Sequence, residues 1–204
     1  MSEIKYPNRI IKTSSTNLIK TTNSKKARLG ADFEEMINES NKFYLNKGLA
    51  AIYKKPTPIQ VVSTTFPKRS MAKITEAYYK TPSTTDYNGV YKGYYIDFEA
   101  KSCHSNSFPF SKIFKHQVEH LRIVHNLGGI AFLLIEFPNK EEIFLLPATM
   151  LFNLYDAMNE GGRKSIPYTY FKENAYLIKR AYTPQVDYLK TVDLLIRENK
   201  AKWV

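Results

Sequence analysis

Polar and apolar positions alternate without a break between residues 94 and 101. Tyr94, Ile96, Phe98 and Ala100 fall on one side of an extended chain, and Tyr95, Asp97, Glu99 and Lys101 on the other. This predicts a strand with one face in a core. The opposite face carries two carboxylates and an ammonium in a row, which is costly beside a sheet unless something binds there. Asn88-Gly89 and Lys92-Gly93 are turn signals set among β-favouring Val and Tyr, so a hairpin is expected to lead into the strand. Residues 129–137 form a nearly continuous apolar run, as in a strand covered on both faces, and 142–146 read as its neighbour.

Elsewhere the spacing is helical. Leu29, Phe33, Met36, Ile37 and Tyr44 predict a first helix over 29–47, ended by Gly48 and followed by a buried strand over 49–53. A second helix is expected from 112 to 127, closed by Gly128-Gly129. Its inward stripe is Ile113, Phe114, Leu121 and Val124, with Gln117 set among them. Pro147 opens a third over 148–158, ended by Gly161-Gly162. The last runs over 186–198 with Leu189, Val192, Leu194 and Leu195 inward.

Two stretches break the pattern. Residues 1–28 are polar and carry Lys5, Arg9, Lys12, Lys20, Lys25, Lys26 and Arg28 against Glu3 alone, which predicts a flexible basic arm. Between 54 and 82, Pro56, Pro58, Pro67 and Pro82 interrupt any period, and Ile59 to Phe66 reads as an exposed strand. This segment is expected to project. It presents Lys54, Lys55, Lys68, Arg69, Lys73 and Lys80 with Tyr78 and Tyr79, a mixture suited to phosphate neutralisation and base stacking. The alternative is an excursion that packs on a partner subunit.

Composition narrows the partner. The 204 residues, 43% hydrophobic, suit one domain over 29–204. A net charge of +11 points to a polyanion. The run at 129–137 is too short to span a bilayer, and no signal peptide or basic amphipathic helix is apparent, so nucleic acid is favoured over a membrane. A single cysteine, Cys103, excludes an internal disulfide framework and fits a reducing cytoplasm. No nucleophile motif surrounds it.

Asp86 lies just ahead of the hairpin and can fold back beside Glu99. An acidic residue followed by Glu-x-Lys is the layout of a metal-dependent phosphodiesterase. Close carboxylates repel, and magnesium, which takes oxygen ligands and keeps several waters, relieves the repulsion. The lysine then orients a water or meets developing charge. The competing reading is a solvated sheet face, because the spacing alone is weakly specific. Gln117, on an apolar stripe, needs a partner for its amide; the carboxylates or capped backbone groups can supply it. His116 and His120 are one turn apart and could share an ion, but no third soft ligand is nearby, which favours phosphate contact or a solvated face. Glu34, Glu35 and Glu39 lie mostly off the first helix's stripe, as a solvated face does, with a metal ligand as the alternative. Arg163 and Lys164, after two glycines, form a second candidate phosphate contact.

Longer motifs then add a resemblance. Lys54-Lys55-Pro56-Thr57-Pro58, Pro67-Lys68-Arg69-Ser70, Glu76-Ala77-Tyr78, the run from Pro82 to Tyr91, Ile96-Asp97-Phe98-Glu99-Ala100-Lys101, Ser107-Phe108-Pro109, His116-Gln117 and the run from Gly161 to Pro167 occur in order. Together they resemble the RecU family of Holliday-junction resolvases. The resemblance implies an α/β, restriction-endonuclease-like (PD-(D/E)xK) core with a mixed central sheet flanked by helices. It also implies a protruding stalk, here about residues 56–82. It further implies a homodimer that uses Mg²⁺ to nick opposite strands of a four-way junction in recombination and repair, with a RecA-type recombinase as a possible partner. Carried over by motif, Thr84, Asp86, Glu99 and Gln117 hold the metal, and Lys101 stabilises the transition state. Asp86, Glu99 and Lys101 are then the catalytic set, and Lys55, Lys68, Arg69, Lys73, Arg163 and Lys164 the DNA contacts. Cys103-His104 and Leu29-Gly30 depart from the family pattern beside the site. The rivals are a non-cleaving junction-binding protein, which bridges strands or modulates a recombinase, and a nuclease for ordinary duplex.

Overall fold

Six strands pair into one mixed sheet in the order β1 (Ala50–Lys54), β4 (Tyr87–Tyr91), β5 (Tyr94–Ser102), β7 (Ile130–Phe137), β8 (Glu142–Pro147) and β10 (Tyr176–Ile178). The computed structural model describes residues 17–65, 72–79 and 84–202, with side chains between 32 and 198. Only the β5–β7 pair is parallel. Parallel neighbours need a long crossover, and here it contains the short strand β6 (Ser107–Pro109), a 3₁₀ turn and helix α2 (Lys115–Asn126). The α/β layout expected above, a mixed central sheet flanked by helices, is what the chain adopts.

The alternation along β5 and β7 divides the interior in two. Ile96, Phe98 and Ala100 join Ile130, Phe132 and Leu134 in one core, closed by helix α1 (Asn17–Asn46) and helix α5 (Leu189–Lys202). Tyr87, Phe98 and Phe132 stack at 4.8 Å spacings through it. Ala131, Leu133, Ile135 and Phe137 face the second core, covered by α2, α3 (Ala148–Asn159) and α4 (Tyr168–Asn174). All eight residues of β7 are buried, as the unbroken apolar run requires.

The hairpin joining β4 to β5 turns at Lys92-Gly93, both with positive φ (51° and 82°), the pairing a tight hairpin favours. Asn88-Gly89 is not a turn but lies inside β4. Glycine is needed there for a different reason: a Cβ on Gly89 would sit 2.0 Å from the Ala51 carbonyl oxygen of the neighbouring strand.

Residues 59–65 and 73–79 form a separate two-stranded ribbon. In it β2 (Ile59–Thr65) pairs antiparallel with β3 (Lys73–Tyr79) and touches neither core. Ile59, Val61, Val62, Ile74, Tyr78 and Tyr79 are all exposed on it. Lys68 and Arg69, expected on the projecting element, lie outside the described residues.

Three further expectations change. Helix α1 begins at Asn17, so residues 17–28 extend it rather than forming an arm, while residues 1–16 lie outside the described residues. Phe114 is not on the inward stripe of α2: it caps the helix start and is exposed, and Val118 takes its place in the core. Leu194 likewise points outward and Ile196 inward, because at helical spacing the stripe through Leu189, Val192 and Leu195 continues at 196 and not at 194.

Candidate active site

The polar face of β5 points toward α2, where flanking residues of β7 such as Leu133 belong to the second core. Glu99 is thus fully buried beside apolar neighbours. Its Oε2 accepts the backbone N–H of Asp86 at 3.0 Å. Its Oε1 accepts from the Gln117 amide at 2.6 Å and from the Lys101 ammonium. Lys101 also lies 3.9 Å from Asp86 Oδ2, so one ammonium sits between two carboxylates. Burial pushes the Glu99 carboxyl up to about 8; the Lys101 charge opposes this and that of Asp86 adds to it.

Gln117 does both things that its position allowed. Its Oε1 accepts the Phe114 N–H at 3.0 Å, capping the first turn of α2, while its amide nitrogen holds Glu99. The oxygen keeps a second lone pair. Asp86 is partly exposed and lines a cleft of about 310 Å³ together with Thr84, Thr85, Lys54, Lys55 and Glu34. Asp86, Glu99, Lys101 and Gln117 are therefore drawn together from a loop, one strand and one helix, and Thr84 stands at the cleft beside them. Glu34, on the first helix, reaches the same cleft but pairs with Lys54. Glu39 pairs with Lys42 in solvent.

The donors around this point are oxygens. Among the described residues no three His, Cys, Asp or Glu side chains gather as a metal cluster. Cys103 is buried, with its thiol bonded within its own loop to Ser105 and to the Ser107 carbonyl at 3.3 Å. His116 stacks on Phe114, whereas His120 bonds Asp97, so the two do not share an ion. Two carboxylates, an amide oxygen and a threonine suit a hard divalent cation that keeps part of its water, and such an ion would offset the crowded charge on Glu99.

A second constellation, around Asp97, was not singled out by the sequence. This fully buried carboxylate accepts from Lys55, Thr85, Tyr95 and His120. Only the alternation that put Asp97 beside Glu99 hinted at it. Of the basic residues proposed to meet DNA, Lys73 is exposed on β3. Arg163 and Lys164 are exposed just ahead of β9 (Ser165–Pro167), which pairs with β6. Lys55 is partly covered and belongs to the Asp97 group.

Known proteins share this chain's sequence over most of its length. The family described as RecU, recombination protein U, matches residues 28–194. The Holliday junction resolvase RecU of Pediococcus pentosaceus is 49% identical over 168 residues, 82% of this chain and 84% of that one. The protein of the same description from Streptococcus gordonii is 44% identical over 190 residues, 93% and 94% of the two chains. Among solved structures, Archaeoglobus fulgidus Hjc, a Holliday junction resolvase, aligns at a TM-score of 0.42 and 16% identity, over 71% of this chain and 93% of that one. The family match takes in the ribbon, the hairpin, the crossover and the two buried carboxylates of β5, and the chain belongs to the RecU family.

Proposed function

We propose that this protein is a divalent-metal-dependent endonuclease that resolves Holliday junctions by paired nicks. The observation that carries the reading is the convergence of Asp86, Glu99, Lys101 and Gln117 on one buried point in a RecU-family chain. Asp86, Glu99 and Gln117, with Thr84, would hold the ion, magnesium by the chemistry of the donors. A bound divalent ion supplies a nucleophilic water at neutral pH and neutralises charge on the phosphate. Lys101 acts as the fixed cation: its ammonium, already seated between the carboxylates, donates to the phosphate oxygen on which charge develops. Gln117 holds the orientation of Glu99.

Affinity comes from elsewhere. Lys55, Lys68, Arg69, Lys73, Arg163 and Lys164 contact phosphates, and the ribbon, with its exposed Tyr78 and Tyr79, enters the open centre of the junction. Paired nicks need two active sites, so the working form is a homodimer. It acts in the cytoplasm, where a RecA-type recombinase supplies the branched intermediate. Among the described residues no helix is long and apolar enough to cross a membrane.

The test is a synthetic four-way junction incubated with Mg²⁺, with and without EDTA, beside a linear duplex of matched sequence. Paired, EDTA-sensitive nicks confined to the junction are expected. A mobility shift without nicks would leave a junction-binding protein, and equal cutting of the duplex would leave an ordinary nuclease.

A further inference from the structure

Of the two carboxylates that β5 buries, only Glu99 has a task in the reaction proposed above. Asp97 Oδ2 accepts from Lys55 Nζ at 3.0 Å, the Tyr95 hydroxyl at 2.9 Å and His120 Nε2 at 3.1 Å. Its Oδ1 accepts from the Thr85 hydroxyl. A carboxylate offers about four lone-pair positions, and four donors, three of them crowded on one oxygen, already answer its charge. Asp97 is occupied as an anchor.

What it anchors faces the cleft. Lys55 lines the cleft with Thr84, Thr85 and Asp86, and its backbone N–H donates to the Asp86 carbonyl at 2.7 Å. Its ammonium has three N–H donors. Asp97 takes one and Thr85 Oγ1, at 3.0 Å, another, which leaves the third. His120 lies one turn along α2 from Gln117, on the same side of the helix. The helix therefore gives one residue to each strand carboxylate: Gln117 to Glu99 and His120 to Asp97.

We propose that Asp97, itself steadied by His120, is a positioning residue that aims the free N–H of Lys55 at the phosphodiester handled by Asp86, Glu99 and Lys101. The inference rests on the nuclease reading. An unrestrained lysine spends much of its time in other rotamers; a lysine held by a buried carboxylate meets the phosphate without that reorganisation.

The test is a double-mutant cycle on the single-turnover cleavage of a four-way junction in Mg²⁺, with junction affinity measured separately in EDTA. Lys55→Ala and Asp97→Asn should each lower the rate constant by roughly 10–100-fold, the range typical of lost supporting partners around a metal site. Reaction amplitude, which reports the folded fraction, should hold, and affinity should change far less because other phosphate contacts carry it. The double variant should be no slower than the slower single. Wild-type rates for Asp97→Asn, or losses that multiply in the double variant, overturn the proposal. If circular dichroism shows Asp97→Asn unfolded, His120→Ala, at a partly exposed position, replaces it in the cycle. A loss that disappears on the Lys55→Ala background supports the proposal; no loss, or the same loss on both backgrounds, overturns it. A wild-type protein that does not cut the junction overturns the nuclease reading, and this inference with it.

Discussion

Asp97 and Glu99 stand two residues apart on one strand, face the same helix and are equally buried. Their surroundings differ in kind. Asp97 is answered by two basic side chains and two hydroxyls. Glu99 is answered by one ammonium shared with a second carboxylate, one amide and one backbone N–H. A satisfied buried charge is a fixture; an under-compensated one is a candidate functional group. Burial alone therefore does not separate structural from functional acids. The count of donors does.

The largest effects should come from the under-compensated side. Glu99→Gln and Asp86→Asn should each reduce junction cleavage by about 10³-fold or more while leaving band-shift affinity largely intact. Lys101→Ala should cost about 10²–10³-fold in single-turnover rate with little change in affinity. An equal fall in rate and affinity would contradict the chemical roles of these three side chains.

Stability should respond in opposite directions at the two acids. Asp97→Ala strips a buried ion pair of its anion and should cost about 3–5 kcal/mol in urea unfolding. Glu99→Gln should instead stabilise the metal-free protein at pH 8. The sign follows from the raised carboxyl: folded Glu99 keeps its proton up to about 8 whereas the unfolded chain loses it near the ordinary 4.5. Between those values the unfolded state binds fewer protons, so stability is fully present below the lower value and is lost as pH rises through the upper one. The wild-type unfolding free energy in urea titrations should therefore fall between pH 5 and pH 8 by an amount on the order of a few kcal/mol, and the Glu99→Gln profile should be flatter. Parallel profiles would mean that Glu99 is already compensated.

Adding Mg²⁺ sharpens the comparison at a smaller scale. A ligand at a hundred times its dissociation constant stabilises by about 2.7 kcal/mol, and this gain should survive Asp97→Asn but vanish in Glu99→Gln. The smallest effect belongs to the surface. Lys73→Ala, on the ribbon, should weaken junction binding modestly and reduce the salt dependence by about one counterion, without altering the cleavage rate of the bound complex.

Much of the sheet was legible because its signal is local. The alternation at 94–101 and the apolar run at 129–137 each occupy a single segment, and the faces they predict are the faces observed. Strands β6, β9 and β10, three residues each, are too short to carry a period. The stripe of α2 went astray at Phe114 because the helix starts later than the pattern suggested, and Phe114, with extended backbone, lies ahead of its first turn. Glu99, Lys101 and Gln117 were readable from spacing and from the family motifs. The Asp97 group was not, since Lys55, Thr85 and His120 come from three separate segments and nothing in the order of residues joins them.

One backbone hydrogen bond, from Lys55 to the Asp86 carbonyl, ties together the two ends of the segment that carries the ribbon. Each seven-residue strand extends roughly 24 Å at about 3.4 Å per residue. The described strands of the ribbon are thus rooted beside the proposed metal ligands Thr84 and Asp86. A branch point that displaced the ribbon would pull on this bond, and through it on Asp86.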